Sequence, residues 1–236
     1  MFSTGHFIWL GIIALFIALF LFLAKKFKPS HDLVRKIVFY LLVPLKIFHM
    51  SLSLKESSHG GFIIDQPQLS FHLCSIMIYA VILINVIRNE KFVKTMKSFM
   101  VPCMLLGAAM ALLIPTEGVD PATPRVWQYM LIHGVLVFYG LYLAIVEKVD
   151  LSVKAYLTNL KLLLIVVVLA FLMNSVLGDY GTNFLFLREP PMENLPILNM
   201  NHGWGVYLIT LSLITCILLF SVHIPYIIKH SKKKNG

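Results

Sequence analysis

A thiol and an imidazole together can open an ester or amide bond. The imidazole removes the thiol's proton, and the thiolate then attacks the carbonyl carbon. Of three cysteines and nine histidines in the chain, Cys74 and His133 are the pair whose placement suits this chemistry. Cys74 lies about one turn into an apolar run at 70–87, and His133 about two turns into another at 126–146. At 1.5 Å per residue, these are depths of about 7 Å and about 11 Å, so the side chains meet if the two helices touch. His72 is nearer in sequence, but two residues along a helix is a rotation of about 200°. It faces away from Cys74 unless the helix starts after it, and reads as a substrate-contacting group rather than the base. The plainer alternative is that Cys74 packs as a small hydrophobe and His133 bridges helices. Cys103, near the end of its run, and Cys216, mid-run, read as packing residues.

Other polar residues sit where polarity is costly. Lys46 and His49 fall three apart in the run at 37–54, on one helical face, and Lys46 is expected to line a polar cavity, with headgroup binding as one reading. Asn174, in the run at 159–177, either orients His133 or bonds across helices. Asn183 and Arg188 belong to a long connection at 178–203. In the functional reading Asn183 donates to a developing oxyanion and Arg188 holds a phosphate or carboxylate. In the plainer one, the first sits in a turn and the second anchors at an interface.

The elements that must position these groups are apolar helices. Hydrophobic residues make up 58% of the chain and charged ones 13%, about half of what a water-facing domain carries, with a mean hydropathy of +0.83. Apolar runs at 6–24, 37–54, 70–87, 98–115, 126–146, 159–177 and 204–228 are each near the length that crosses a bilayer. The chain is thus predicted to be all-α, one seven-helix transmembrane domain over 1–236. The first run, followed by Lys25-Lys26-Phe27-Lys28, reads as a retained span rather than a cleaved leader.

Sixteen of the twenty basic residues fall in the connections 25–36, 88–97 and 148–161 and the tail beyond 228; Lys55, Arg125 and Arg188 fall on the opposite side. That asymmetry predicts an N-terminus outside and a C-terminus in the cytoplasm, so that 55–69, 116–125 and 178–203 face outward. It also accounts for the net charge of +9 without nucleic acid as a partner. Trp127, Trp204 and Tyr207 are read as interfacial belt residues.

The strings Gln68-Leu69-Ser70-Phe71-His72-Leu73-Cys74-Ser75, Leu131-Ile132-His133-Gly134 and Gly181-Thr182-Asn183-Phe184-Leu185-Phe186-Leu187-Arg188-Glu189-Pro190, in that order, resemble the YwaF-like family that includes human transmembrane protein 164. Its pattern is L-P-L-H-L-C, a later H-G within a span, and G-T-N-Y-x-x-L-R-x-K-P before the last helix. The resemblance covers about residues 65–210. It departs at the lead-in to His72 and at Glu189-Pro190, where the family has a basic residue before proline. The resemblance implies a seven-span, cysteine-dependent lipid acyltransferase, with Cys74 matching the nucleophile and His133 the histidine. It also implies phospholipid or lysophospholipid substrates and residence in the membrane of a bacterial cell.

The expected mechanism is acyl transfer near the outer leaflet. Cys74, deprotonated by His133, takes an acyl chain from a lipid ester, and a second lipid's hydroxyl or amine accepts it. This chemistry calls for no metal or diffusible cofactor. A lipid ester hydrolase using water as acceptor is one alternative, and a non-enzymatic seven-span receptor or carrier is another.

Overall fold

A computed structural model describes residues 3–56, 61–69, 71–115, 118–192 and 195–234. Ser70 and the pair Thr116-Glu117, which belong to segments singled out above, lie outside the described residues. Seven α-helices occur among the described residues: α1 (Thr4–Phe27), α2 (His31–Leu52), α3 (Leu73–Val86), α4 (Glu90–Leu113), α5 (Pro124–Tyr142), α6 (Val153–Val176) and α7 (Trp204–Lys234). A two-stranded sheet of β1 (Leu54–Glu56) and β2 (Phe62–Ile64) is a small addition to the expected all-α architecture.

The helices begin where short polar residues supply the missing acceptors. Ser3, Ser30, Asn89 and Ser152 each accept a backbone N–H from the first turn of α1, α2, α4 and α6, and Pro124 opens α5, where its absent N–H costs nothing. Five helical segments are long and apolar enough to cross a membrane: α1, α4, α5 continued through a π-helical turn to Glu147, α6 and α7. The chain is thus a helical membrane protein. The other two helices differ for separate reasons. α2 spans 22 residues but carries His31, Asp32, Arg35, Lys36, Lys46 and His49. α3 is apolar but has 14 residues, about 21 Å of rise.

Two compact units are present: 1–63 with 73–150, and 64–72 with 151–236. In the first, α2, α3, α4 and α5 pack against one another and α1 lies against α5. Trp9 and Ile13 of α1 join Leu112, Val126 and Met130 in one buried cluster. Two cross-helix bonds tie the same end together: His6 Nε2 donates to Leu112 O at 2.8 Å and Arg125 Nη2 to Leu52 O at 2.6 Å. At the other, lysine-rich end, Lys97 pairs with Glu147 at 2.5 Å.

In the second unit, α6 packs on α7. His223 is buried and donates from Nδ1 to Leu151 O at 3.0 Å, which leaves Nε2 to accept from Asn159 at 3.4 Å. Toward the other end, Ala170, Phe184 and Leu187 form a core with Leu69 and Phe71 against it.

Candidate functional site

The residues singled out by their chemistry divide between the two units. Cys74, His133, Lys46 and His49 belong to the first; His72, Asn174, Asn183 and Arg188 belong to the second.

In the first unit Cys74 is the second residue of α3. The helix does start after His72, the one arrangement in which the 200° argument against that histidine does not apply. The N-terminal turn of a helix presents unpaired N–H groups and the positive end of the dipole. The Cys74 sulfur packs toward Gly107 of α4: a β carbon built at Gly107 would lie 3.5 Å from it.

His133 sits on α5 with 8% of its surface exposed. Its Nδ1 lies 2.7 Å from Tyr129 O of the preceding turn. A carbonyl only accepts, so Nδ1 carries the proton and Nε2 is the basic nitrogen of the neutral ring. The Tyr129 ring stacks obliquely on it, centroids 4.2 Å apart.

The register of α4 against α5 sets the depth of both groups. Tyr129 donates from its hydroxyl to Ala111 O at 2.8 Å. The helices run in opposite directions and approach closely where a β carbon on Gly140 would lie 3.1 Å from Met104 Cβ, so seven residues along each helix from that point His133 stands opposite Ala111. Cys74, against Gly107, and His133, opposite Ala111, are therefore about one helical turn apart in depth, on helices that touch.

Around them the polar groups of α2 and α5 meet. Lys46, 7% exposed, donates to the hydroxyl of Ser75, the residue after Cys74, at 3.2 Å. His49 Nδ1 donates to Gln128 Oε1 at 3.4 Å, and Gln128 is 4% exposed. Gln128, Tyr129 and Gly107 are not singled out by the sequence, and Ser75 enters it only as the end of the first family string. A glutamine inside an apolar run was a legible signal, while Gly107 acquires meaning only from its neighbour across the helix pair. Cys103 is fully buried in the middle of α4, because that helix starts at Glu90 and not near 98.

The second unit uses its polar residues to hold one loop. Asn174 donates to Phe184 O at 3.0 Å and accepts from Phe184 N at 2.7 Å. Asn183 donates to Glu189 O at 2.9 Å and accepts from the Arg188 N–H at 3.0 Å. The Arg188 guanidinium donates to Gly178 O at 2.9 Å. Tyr207 is 1% exposed and donates to Phe186 O at 2.6 Å, so it is a buried clamp and not the interfacial belt residue expected; Trp204, half exposed, donates to Leu187 O at 2.9 Å.

These clamps enclose Leu185 and Phe186, which have φ of 56° and 57°. Bulky residues in the left-handed region persist only where surroundings over-determine them. The loop borders a cleft of about 580 Å³ lined by Phe171, Asn174, Ser175, Asp179, Arg188 and Trp204. His72 stacks edge-on to Phe184 and obliquely on Phe186, centroids 5.5 and 5.8 Å away. No cluster of three or more His, Cys, Asp or Glu suited to a metal occurs among the described residues.

The chain belongs to the TMEM164 family, whose pattern it matches over residues 1–222. No curated protein and no solved structure matches the chain. Family membership therefore rests on a match that takes in α1 through most of α7, both units included.

Proposed function

We propose that this TMEM164-family protein is a membrane-embedded acyltransferase that moves a fatty acyl chain between lipids through a thioester on Cys74. The observation that carries the reading is that α3 and α5 touch with Cys74 and His133 about one helical turn apart in depth in the first unit, Nδ1 of the histidine being engaged by Tyr129 O. In the proposed first step the Cys74 proton passes to His133 Nε2, and the thiolate attacks the ester carbonyl of a phospholipid. The carbonyl–oxygen bond breaks, and the departing alkoxide takes the proton back from His133. In the second step a lysolipid hydroxyl or amine gives its proton to His133 and attacks the thioester; the carbonyl–sulfur bond breaks, and the Cys74 thiolate takes that proton back from His133. N–H groups of the first turn of α3 are suited to stabilise the oxyanion formed in each step.

All seven helices cross the membrane in this reading, with the N-terminus and the Cys74 end outside, following the basic-residue asymmetry. Water in place of the second lipid would make the same dyad a lipid ester hydrolase. A receptor or carrier would leave the thiol–imidazole pair without a task. Purified protein incubated with a mixed phospholipid pool and read by mass spectrometry should carry an acyl adduct on Cys74 that hydroxylamine removes. An unmodified Cys74 under conditions where lipid chains are exchanged would overturn the covalent mechanism.

A further inference from the structure

Buried polar groups of the first unit mostly meet partners of matching kind. Lys97 faces the Glu147 carboxylate at 2.5 Å, while His6 and His133 donate to backbone carbonyls. Lys46 differs. It is 7% exposed, its ammonium donates to the neutral Ser75 hydroxyl, and it has no carboxylate partner among the described residues. A cation taken out of water without a counter-charge is strongly disfavoured. A methionine of similar length would fill the same space without that penalty. An ammonium has three donors and Ser75 takes one. Ser75 itself lies in the first turn of α3, the end of the helix that carries the positive pole of its dipole. The ammonium, the hydroxyl and the helix end thus meet at the residue after Cys74, and no ion pair to a carboxylate answers them among the described residues.

We propose that Lys46, with the first turn of α3, is an anion-recognition point that holds the phosphate or carboxylate oxygens of an amphiphile next to Cys74. Its functional meaning rests on the acyl-transfer reading, in which it would admit lipids charged near the polar end of the chain and reject neutral glycerides. Anion binding itself is testable without turnover.

The full-length protein in a neutral detergent is titrated with dodecyl phosphate, dodecanoate and dodecylglycerol ether. None contains an ester, and thermal unfolding reads binding because a ligand that favours the folded state raises the midpoint. Both anions should raise the midpoint and the neutral ether should not. A larger response to the phosphate marks a lipid headgroup as the natural source; a larger response to the carboxylate marks a free fatty acid. In Lys46→Met anion affinity should fall about ten- to a hundredfold, the usual consequence of losing a charge-assisted bond, while Lys46→Arg retains most of it. Without ligand, Lys46→Met should unfold at or above the parent's temperature, because it removes an unpaired buried charge. No anion response in the parent, a response that survives in Lys46→Met, or a lower unfolding temperature for that variant without ligand would each overturn the proposal. Intact anion binding with no acyl adduct on Cys74 would instead sink the acyl-transfer reading and leave this site standing.

Discussion

The sulfur of Cys74 rests against the bare face of Gly107, where an added β carbon would sit 3.5 Å from it and 3.3 Å from Leu73 Cδ2. The helix α4 gives up a side chain at the one point where α3 brings its thiol. Glycine inside a helix costs about 1 kcal/mol relative to alanine, so Gly107→Ala should fold with stability within about 1 kcal/mol of the parent, the helix gain offsetting the crowding of Leu73. Gly107→Val places two more methyls in the space of the thiol. It should destabilise by about 1–3 kcal/mol and slow acyl exchange by about a hundredfold through displacement of the sulfur. Lipid exchange in vesicles, with circular dichroism for folding, checks both; unimpaired exchange by Gly107→Val would remove Gly107 from the site.

Cys74→Ser keeps the shape of the nucleophile but replaces the thiol with a far less acidic hydroxyl that His133 alone ionises poorly. It should retain the fold and nearly abolish acyl exchange. His133→Ala should also lose activity, and the double variant should be no worse than either alone, because the pair works as one unit. Cys103→Ser in the fully buried centre of α4 and Cys216→Ser in α7 should cost on the order of 1 kcal/mol of stability and leave exchange intact. Kinetics on the five variants with a chemical-denaturation series is the measurement. Wild-type exchange by Cys74→Ser would end the covalent mechanism.

What was legible in the chain follows from range. Periodicity and apolar runs are local, and they marked all seven helices to within a few residues at most ends. The largest miss, the early start of α4 at Glu90, arose because Asn89 caps a helix whose first turns are charged. Cys74 and His133 were legible as polar groups inside apolar runs. Their depths were approached by counting from span ends, while the structure sets them through the Gly107 contact of Cys74 and the close approach of Gly140 to Met104, a register that no local pattern encodes. Asn183, Arg188 and Tyr207 were visible as residues, but their role in pinning Leu185 and Phe186 was not, since two consecutive non-glycine left-handed residues have no sequence signature.

The clamp on that loop makes a separate prediction. Tyr207→Phe removes the donor 2.6 Å from Phe186 O and leaves a carbonyl in a buried setting; the cost should be about 1–3 kcal/mol. Asn174→Ala breaks both bonds to the Phe184 backbone and should cost more, since it leaves a donor and an acceptor unanswered. If the loop serves catalysis, Asn174→Ala should also lower exchange below what its residual folded fraction explains. Exchange rates normalised to folded protein separate the two effects; proportional losses would make the loop purely structural.

The number of membrane crossings turns on α2 and α3 alone. Five helical segments are long and apolar enough to span, and removing α2 and α3 as a pair leaves the sidedness of everything after Val86 unchanged. A reporter active only outside the cell, fused after Asn194, should work, and fused after Asn89 or Gly236 should fail, whether five helices cross or seven. Gly61, between α2 and α3, is the discriminating position. Seven crossings put it outside, on the same face as Asn194; five put it inside, on the same face as Asn89. The sixteen basic residues in 25–36, 88–97, 148–161 and the tail favour the first arrangement, because the flanks of α2 and α3 alternate in charge as crossing helices require. α3 is about 21 Å long and would cross with the membrane thinned locally or with its flanking residues inside the bilayer. We therefore expect an active reporter after Gly61. An inactive one there, with an active one after Asn194, would make α2 and α3 a pair that enters and leaves from one side and would move Cys74 away from the outer face.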